Sequence, residues 1–204
     1  MMRFLDNDIK IEAFEIYEPI ENIHKDQILK FSEIPAKISG NILNLSTEWA
    51  KKISELCNEY EAVSIINDRV DIACVSGADG VHLGQNDISP NDVEKITENQ
   101  LLIGTSNALK EEIEISAKNK STYIAIGSIF PTTTKTNTRP ASLQLLRDAK
   151  MISSKPLVAI GGINQQNIES VIETGVDSVC IATAITLAKD PEKTTKSLSN
   201  YFNI

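Results

Sequence analysis

Pro131-Thr132-Thr133-Thr134-Lys135 follows directly on the apolar run Tyr123-Ile124-Ala125-Ile126-Gly127. Hydroxyls and accessible backbone N–H groups grip phosphate oxygens, and a lysine at the same strand end adds a point charge. A threonine-rich turn with a solvated lysine is the plain alternative. The pattern of an apolar run and then small polar or glycine residues recurs at Asn67-Asp68-Arg69, Gly84-Gln85-Asn86-Asp87, Thr105-Ser106-Asn107, Gly161-Gly162-Ile163-Asn164 and Ala182-Thr183-Ala184. Asp68 and Asp87 follow neighbouring expected strands, so their carboxylates could converge on one Mg²⁺, with water and phosphate in the remaining positions. They could instead cap helices or form a general acid/base pair. Gly161-Gly162, ahead of a helix expected from about Asn164, permits close backbone approach and exposes N–H groups to a phosphate. A plain left-handed turn is the alternative there. Thr183 stands where it can complete that site. His82, between Val81 and Leu83, reads as a hydrogen-bonded structural histidine, and His24 as a solvated one.

Short apolar runs and helical patterns alternate to position these residues. Strands are expected at 13–17, 36–39, 62–66, 80–83, 101–104, 123–127, 157–160 and 178–181. Between them, Trp49, Ile53, Leu56 and Tyr60 share a helical face over 47–60. The stretches 109–118 and 164–173 repeat that spacing, and a closing helix is expected after Asp190-Pro191. Ser46 or Thr47, Ser89 before Pro90 (or Asn91), and Asn164 are candidate caps. Strand and helix in eightfold alternation predict an α/β chain with a parallel sheet, closed as a single-domain (β/α)₈ TIM barrel. The rival is an open doubly wound sheet, but no Gly-x-Gly-x-x-Gly follows the first strand. In a barrel the polar tips lie at the C-terminal strand ends, where function sits, whereas Ser76-Gly77-Ala78-Asp79 reads as an ordinary turn at the other end.

Composition narrows the partners. At 204 residues and 41% hydrophobic the chain can bury one core, and a net charge of −8 argues against nucleic-acid and anionic-membrane surfaces. No run approaches the length of a membrane span and the first residues lack a signal-peptide core. Cys57, Cys74 and Cys180 read as buried free thiols of a cytoplasmic protein.

From Ile66 to Pro191 the chain resembles the thiamine-phosphate synthase family. The resemblance rests on Ile66-Asn67-Asp68-Arg69, Gly77-Ala78-Asp79-Gly80-Val81-His82-Leu83-Gly84-Gln85-Asn86-Asp87 and Gly104-Thr105-Ser106, then on Pro131 to Lys135, Ala159-Ile160-Gly161-Gly162-Ile163 and Ala182-Thr183-Ala184-Ile185. It implies a TIM barrel that joins hydroxymethylpyrimidine pyrophosphate to thiazole phosphate and releases pyrophosphate. It also implies that Asn67, Ser106 and Lys135 contact the pyrimidine pyrophosphate, with Ser106 and Lys135 acting in catalysis. Asp68 and Asp87 would bind Mg²⁺, and Thr132, Thr133, Thr134, Gly162, Ala182 and Thr183 would hold the thiazole phosphate. Where the family's second strand ends in Gln-x-Arg-Glu-Lys, this chain reads Ser39-Gly40-Asn41-Ile42-Leu43-Asn44, and residues 1–45 diverge. Arg69 and Arg139 are the cations that could compensate. A sister branch tautomerises a thiazole with a histidine shortly after the serine matched by Ser106, where this chain has Asn107-Ala108. A synthase, a tautomerase-like protein and a silent barrel binding a phosphorylated ligand are the readings this leaves.

Overall fold

The computed structural model of the chain describes residues 42–98, 100–132 and 139–202. The expected strands at 13–17 and 36–39, His24, and Thr133, Thr134 and Lys135 lie outside the described residues.

Six strands form one sheet in the order β1 (Ile65–Asn67), β2 (Gly80–Leu83), β3 (Leu102–Asn107), β4 (Tyr123–Ile126), β5 (Leu157–Ile160) and β6 (Ser178–Cys180). Every neighbouring pair is parallel. Spatial order follows chain order without reversal, so the described sheet lacks the switch point of a doubly wound fold. Right-handed crossovers in one direction put the connecting helices on one face. After α1 (Ile42–Glu59), which precedes β1, the connections are α2 (Val70–Ser76), α3 (Pro90–Thr97), α4 (Lys110–Lys118), α5 (Leu143–Ile152) and α6 (Ile168–Ile172), and α7 (Thr183–Thr186) and α8 (Pro191–Ser199) follow β6.

The two-residue period of the strands divides the core. Outward residues Ile124, Ile126, Leu157, Ala159 and Val179 pack under Ile113, Leu146, Ala149, Ile168 and Val171. Val81, Leu83 and Ile103 do the same with Ala73 and Val93. The other face carries a smaller cluster of Ile65, Tyr123, Ala125, Val158 and Cys180. At the N-terminal strand ends two aspartates act alike. Asp79 Oδ2 accepts from the Ser64 N–H (2.7 Å) and hydroxyl (2.9 Å), and Asp177 Oδ2 accepts from the Leu157 N–H (2.7 Å).

Several local expectations hold and others need correction. Ser89 caps α3 by accepting from the Asp92 N–H, with Pro90 beginning the helix. Asn91 lies inside α3 and accepts from the Lys120 N–H instead. Asp190 caps α8 through the Lys193 N–H. α1 begins at Ile42, so Ser46 and Thr47 are interior helical residues and not caps. The helix expected from Asn164 begins at Ile168, because the Asn164 N–H donates to Asn167 Oδ1 (2.8 Å) and closes a turn first. β3 runs on to Asn107, since Thr105 and Asn107 are buried and bonded on its outer face. Cys57 and Cys180 are buried, but Cys74 is exposed on α2, whose buried residues are Ile72, Ala73 and Ser76.

Candidate active site

Within the described residues, the polar tips named from sequence form the last residues of successive parallel strands or follow them. Register explains how β1 to β4 prepare their end. Asn67 pairs with His82, His82 with Gly104 and Gly104 with Tyr123, so these four form one row across the sheet. A Cβ at Gly104 would collide with the Tyr123 ring and lie 2.6 Å from His82 Nδ1. Its absence lets the two rings meet across the strand, centroids 5.6 Å apart. His82 Nδ1 shares a hydrogen bond with the Tyr123 hydroxyl (2.9 Å), and Nε2 one with Ser106 Oγ (2.8 Å). His82 is buried and Ser106 half-buried. Gln85 Nε2 donates to the Ser106 carbonyl (2.6 Å), tying the β2 loop to the end of β3. The structural histidine expected at His82 is therefore bonded directly to a candidate catalytic residue. Gln85 is named from sequence only within the polar run after β2, and Tyr123 only within an apolar run; with β3 extending to Asn107, Gly104 lies inside the strand, where an isolated glycine signals a close approach.

Asp68 and Asp87 are exposed after the neighbouring strands β1 and β2. Neither is a helix cap: α2 is preceded by Arg69 and α3 by Ser89. Asp68 adopts φ of 60° while its N–H donates to the His82 carbonyl (2.7 Å). Asp87 Oδ2 accepts from the Gly84 N–H (2.6 Å), leaving Oδ1 without a hydrogen bond among the described residues. Two exposed carboxylates outside helix capping fit Mg²⁺, which takes one or two protein carboxylates and completes its shell with water and phosphate. Among the described residues no group of three or more histidine, cysteine or acidic side chains could hold a metal without such outside ligands.

A second cluster lies at the ends of β4 to β6. Pro131, Thr132, Gly162, Ile163, Thr183 and Ala184 are among the residues lining a pocket of about 640 Å³. Gly161 and Gly162 have φ of 103° and 63°. A Cβ on Gly162 would meet the Pro131 carbonyl oxygen at 2.5 Å and Phe130 Cβ at 2.9 Å, so glycine is required on both counts. Asn164 Nδ2 (3.2 Å) and Asn167 Nδ2 (3.0 Å) donate to the Gly162 carbonyl. Carbonyl and following N–H point oppositely across a trans peptide, so the Ile163 N–H is turned away from these amides. It finds no acceptor among the described residues. The asparagine pair was not foreseen in this role, and its signal is the spacing Gly162-Ile163-Asn164-Gln165-Gln166-Asn167. Ala182 precedes α7, and its carbonyl accepts from the Ile185 N–H (2.9 Å) and the Thr186 N–H (3.0 Å). Thr132, Gly162 and Thr183 thus come together, while Asn67, Asp68, Asp87 and Ser106 stand at the ends of β1 to β3.

The two arginines considered as compensating cations have carboxylate partners. Arg69 binds Asp71 through Nε (2.8 Å) and a terminal nitrogen (2.5 Å). Arg139 pairs with Glu112, whose Oε2 also accepts the N–H groups of Ala108 (2.7 Å) and Leu109 (3.2 Å). Burial pushes the Glu112 carboxyl up, but Arg139 and those N–H groups outweigh it and hold it below the ordinary glutamate value. Asn107, where the sister branch approaches its histidine, is buried on the outer face. Its amide donates to the Thr105 (3.0 Å) and Ala125 (3.3 Å) carbonyls and its Oδ1 accepts from Ser116 (2.8 Å). It offers no base to a substrate.

No described helix is long and apolar enough to cross a membrane. The sequence matches the family model described as thiamine monophosphate synthase over residues 44–185. It is 40% identical over 151 residues to the thiamine-phosphate synthase of Alkaliphilus oremlandii, covering 74% of this chain and 72% of that one. It is 35% identical over 156 residues to the Clostridium tetani thiamine-phosphate synthase, covering 76% and 75%. A solved structure of thiamine phosphate pyrophosphorylase from Pyrococcus furiosus superposes with a TM-score of 0.74 at 34% identity, over 81% of this chain and 80% of that one. With its parallel sheet, its two polar clusters and these likenesses together, the chain belongs to the thiamine monophosphate synthase family.

Proposed function

We infer that this chain is a transferase of thiamine biosynthesis that joins hydroxymethylpyrimidine pyrophosphate to a thiazole phosphate and releases pyrophosphate. Family membership supports the reaction. The observation that carries it in the geometry is the tied-back Gly162 carbonyl. That tie leaves the Ile163 N–H without an acceptor among the described residues, in a pocket shared with Thr132 and Thr183. Such a site suits the phosphate of one substrate. The strand ends of β1 to β3 suit the pyrophosphate of the other. A closed (β/α)₈ barrel of one domain is the architecture in which both clusters would ring one opening, and the sequential parallel order of the described strands supports it.

The reaction forms a bond from the thiazole nitrogen to the pyrimidine methylene carbon and breaks the bond from that carbon to pyrophosphate. The nitrogen brings its own lone pair, and pyrophosphate leaves with the electron pair of the broken bond. No nucleophilic side chain is required. Ser106 and Asn67 would donate to the departing pyrophosphate, as would Lys135. Gly162, Ala182 and Thr132 to Thr134 would hold the thiazole phosphate with Thr183. Asp68 and Asp87 would hold Mg²⁺, which neutralises developing charge on a leaving phosphate. The small phosphorylated substrates fit a cytoplasmic enzyme.

The partners of Arg69 and Arg139 favour a second reading, a barrel that binds thiazole phosphate without turnover. Their guanidinium groups are engaged by Asp71 and Glu112, so of the motif-matched groups Lys135 and Mg²⁺ would carry the charge for the pyrophosphate. Pyrophosphate release by the parent separates the readings, and Ser106→Ala tests the leaving-group site. In the synthase it should lower turnover about 10²–10³-fold, the loss expected for one positioned donor. Thiazole-phosphate affinity should hold. A variant as active as its parent would refute the role of Ser106 at the leaving group.

A further inference from the structure

Ser106 is hydrogen-bonded to the buried pair His82 and Tyr123, and the direction of these hydrogen bonds decides whether it can serve an anion. The neutral imidazole of His82 has one N–H to share between Ser106 Oγ at 2.8 Å and the Tyr123 hydroxyl at 2.9 Å. With the proton on Nδ1, Nε2 takes the Ser106 proton, and the serine turns only lone pairs toward a pyrophosphate. With the proton on Nε2, His82 donates to Ser106, the serine O–H is released toward the substrate, and the Tyr123 O–H closes on Nδ1.

We propose that Tyr123 and His82 are positioning residues that fix the Nε2–H tautomer and so hold Ser106 as a donor to the leaving pyrophosphate. This rests on the reading of Ser106 given above. Three features of the fold support it. Gly104 carries no Cβ, which makes the contact between the two rings possible. Tyr123 is fully buried and His82 5% exposed, so the pair is shielded from water that could scramble the direction of its bond. Gln85 Nε2 donates to the Ser106 carbonyl and holds the backbone of the serine that the pair orients.

The first test needs no turnover. The ¹⁵N shifts of the His82 ring, one of only two histidines in the chain, report the tautomer directly. They should show Nε2–H when inorganic pyrophosphate and Mg²⁺ are added to the full chain. An Nδ1–H signal would overturn the proposal, whether or not the protein proves to be a synthase. A parent that releases no pyrophosphate would sink the functional reading and leave this measurement to decide the tautomer.

The second test is a double-mutant cycle. Tyr123→Phe should lower the rate of pyrophosphate release about five- to tenfold, the scale of one neutral hydrogen bond. In the Ser106→Ala background the same change should cost less than about twofold. His82→Gln, whose amide can supply an N–H to Ser106, should retain more activity than His82→Ala. Full additivity of Tyr123→Phe and Ser106→Ala, with His82→Gln no better than alanine, would mean that the buried pair serves packing alone and would refute the proposal.

Discussion

Gly162→Ala isolates the feature on which the phosphate pocket depends. Its φ of 63° lies in the left-handed region, where a residue with a Cβ costs roughly 1–2 kcal/mol. The new Cβ would stand 2.5 Å from the Pro131 carbonyl oxygen and must open to the 3.4 Å of ordinary contact, so the pocket wall retreats by about 0.9 Å. Overpacking of this kind costs roughly a further 1–3 kcal/mol, for a total of about 2–5 kcal/mol. At roughly 2–4 °C per kcal/mol for a chain of this length, thermal unfolding should fall by about 4–20 °C. Gly77→Ala is the control. Gly77 has φ of 70° at the end of α2, but a Cβ there meets nothing within 4 Å. It should lose only the backbone term of about 1–2 kcal/mol. Its kcat/KM for thiazole phosphate should stay at the parent value. For Gly162→Ala that ratio should fall on the order of 10²-fold, as for a site displaced by about 1 Å. Circular dichroism melts and steady-state kinetics on the two variants read both effects. Equal melting losses, with kinetics unchanged at Gly162, would refute the close-approach argument.

Other perturbations separate the remaining parts. Because the Glu112 carboxyl is held below its ordinary value of 4.5, its stabilising effect is present above that value and is lost as pH falls through the lowered one. Glu112→Gln should therefore flatten the acid limb of stability against pH, read by denaturant unfolding across that range; an unchanged limb would remove Glu112 from the linkage. Lys155 donates to the Ser116 and Asn119 carbonyls at the N-terminal end of the strands. Lys155→Met should destabilise the protein by about 1–3 kcal/mol by leaving the Asn119 carbonyl without its donor, while the Ser116 carbonyl keeps the Ser121 hydroxyl, with kcat unaltered. Asp87→Asn can keep the bond from the Gly84 N–H while removing the charge, so the Mg²⁺ concentration giving half-maximal rate should rise. An unchanged Mg²⁺ titration would take Asp87 out of the metal site.

The strand ends were legible because buried parallel strands stop where small polar residues begin. β2 and β5 were read from sequence with the boundaries the structure gives, since Gly80–Leu83 and Leu157–Ile160 are apolar runs bounded by turn residues. β3 was read short because Thr105 and Asn107 look like loop residues. They are instead buried against α4, where Ser116 bonds both. The start of α6 was misplaced because Asn164 is a good cap by type, and only the fold shows its side chain drawn to the Gly162 carbonyl and its N–H to Asn167. The polar residues of the site were legible one strand at a time. The bond between His82 and Tyr123 joins positions 41 apart, and no local pattern encodes it. The absent Cβ of Gly104 makes room for it, a role visible only once β3 is seen to continue past that residue.

The central claim is that the two polar clusters serve one reaction. The most direct measurement is incubation of the protein with hydroxymethylpyrimidine pyrophosphate, thiazole phosphate and Mg²⁺, following pyrophosphate and thiamine phosphate together. Both should appear in equal amounts, and omitting either organic substrate should abolish both. Thiazole phosphate bound at the pocket of Thr132, Gly162 and Thr183, with no pyrophosphate released, would contradict it and leave a binding protein in its place.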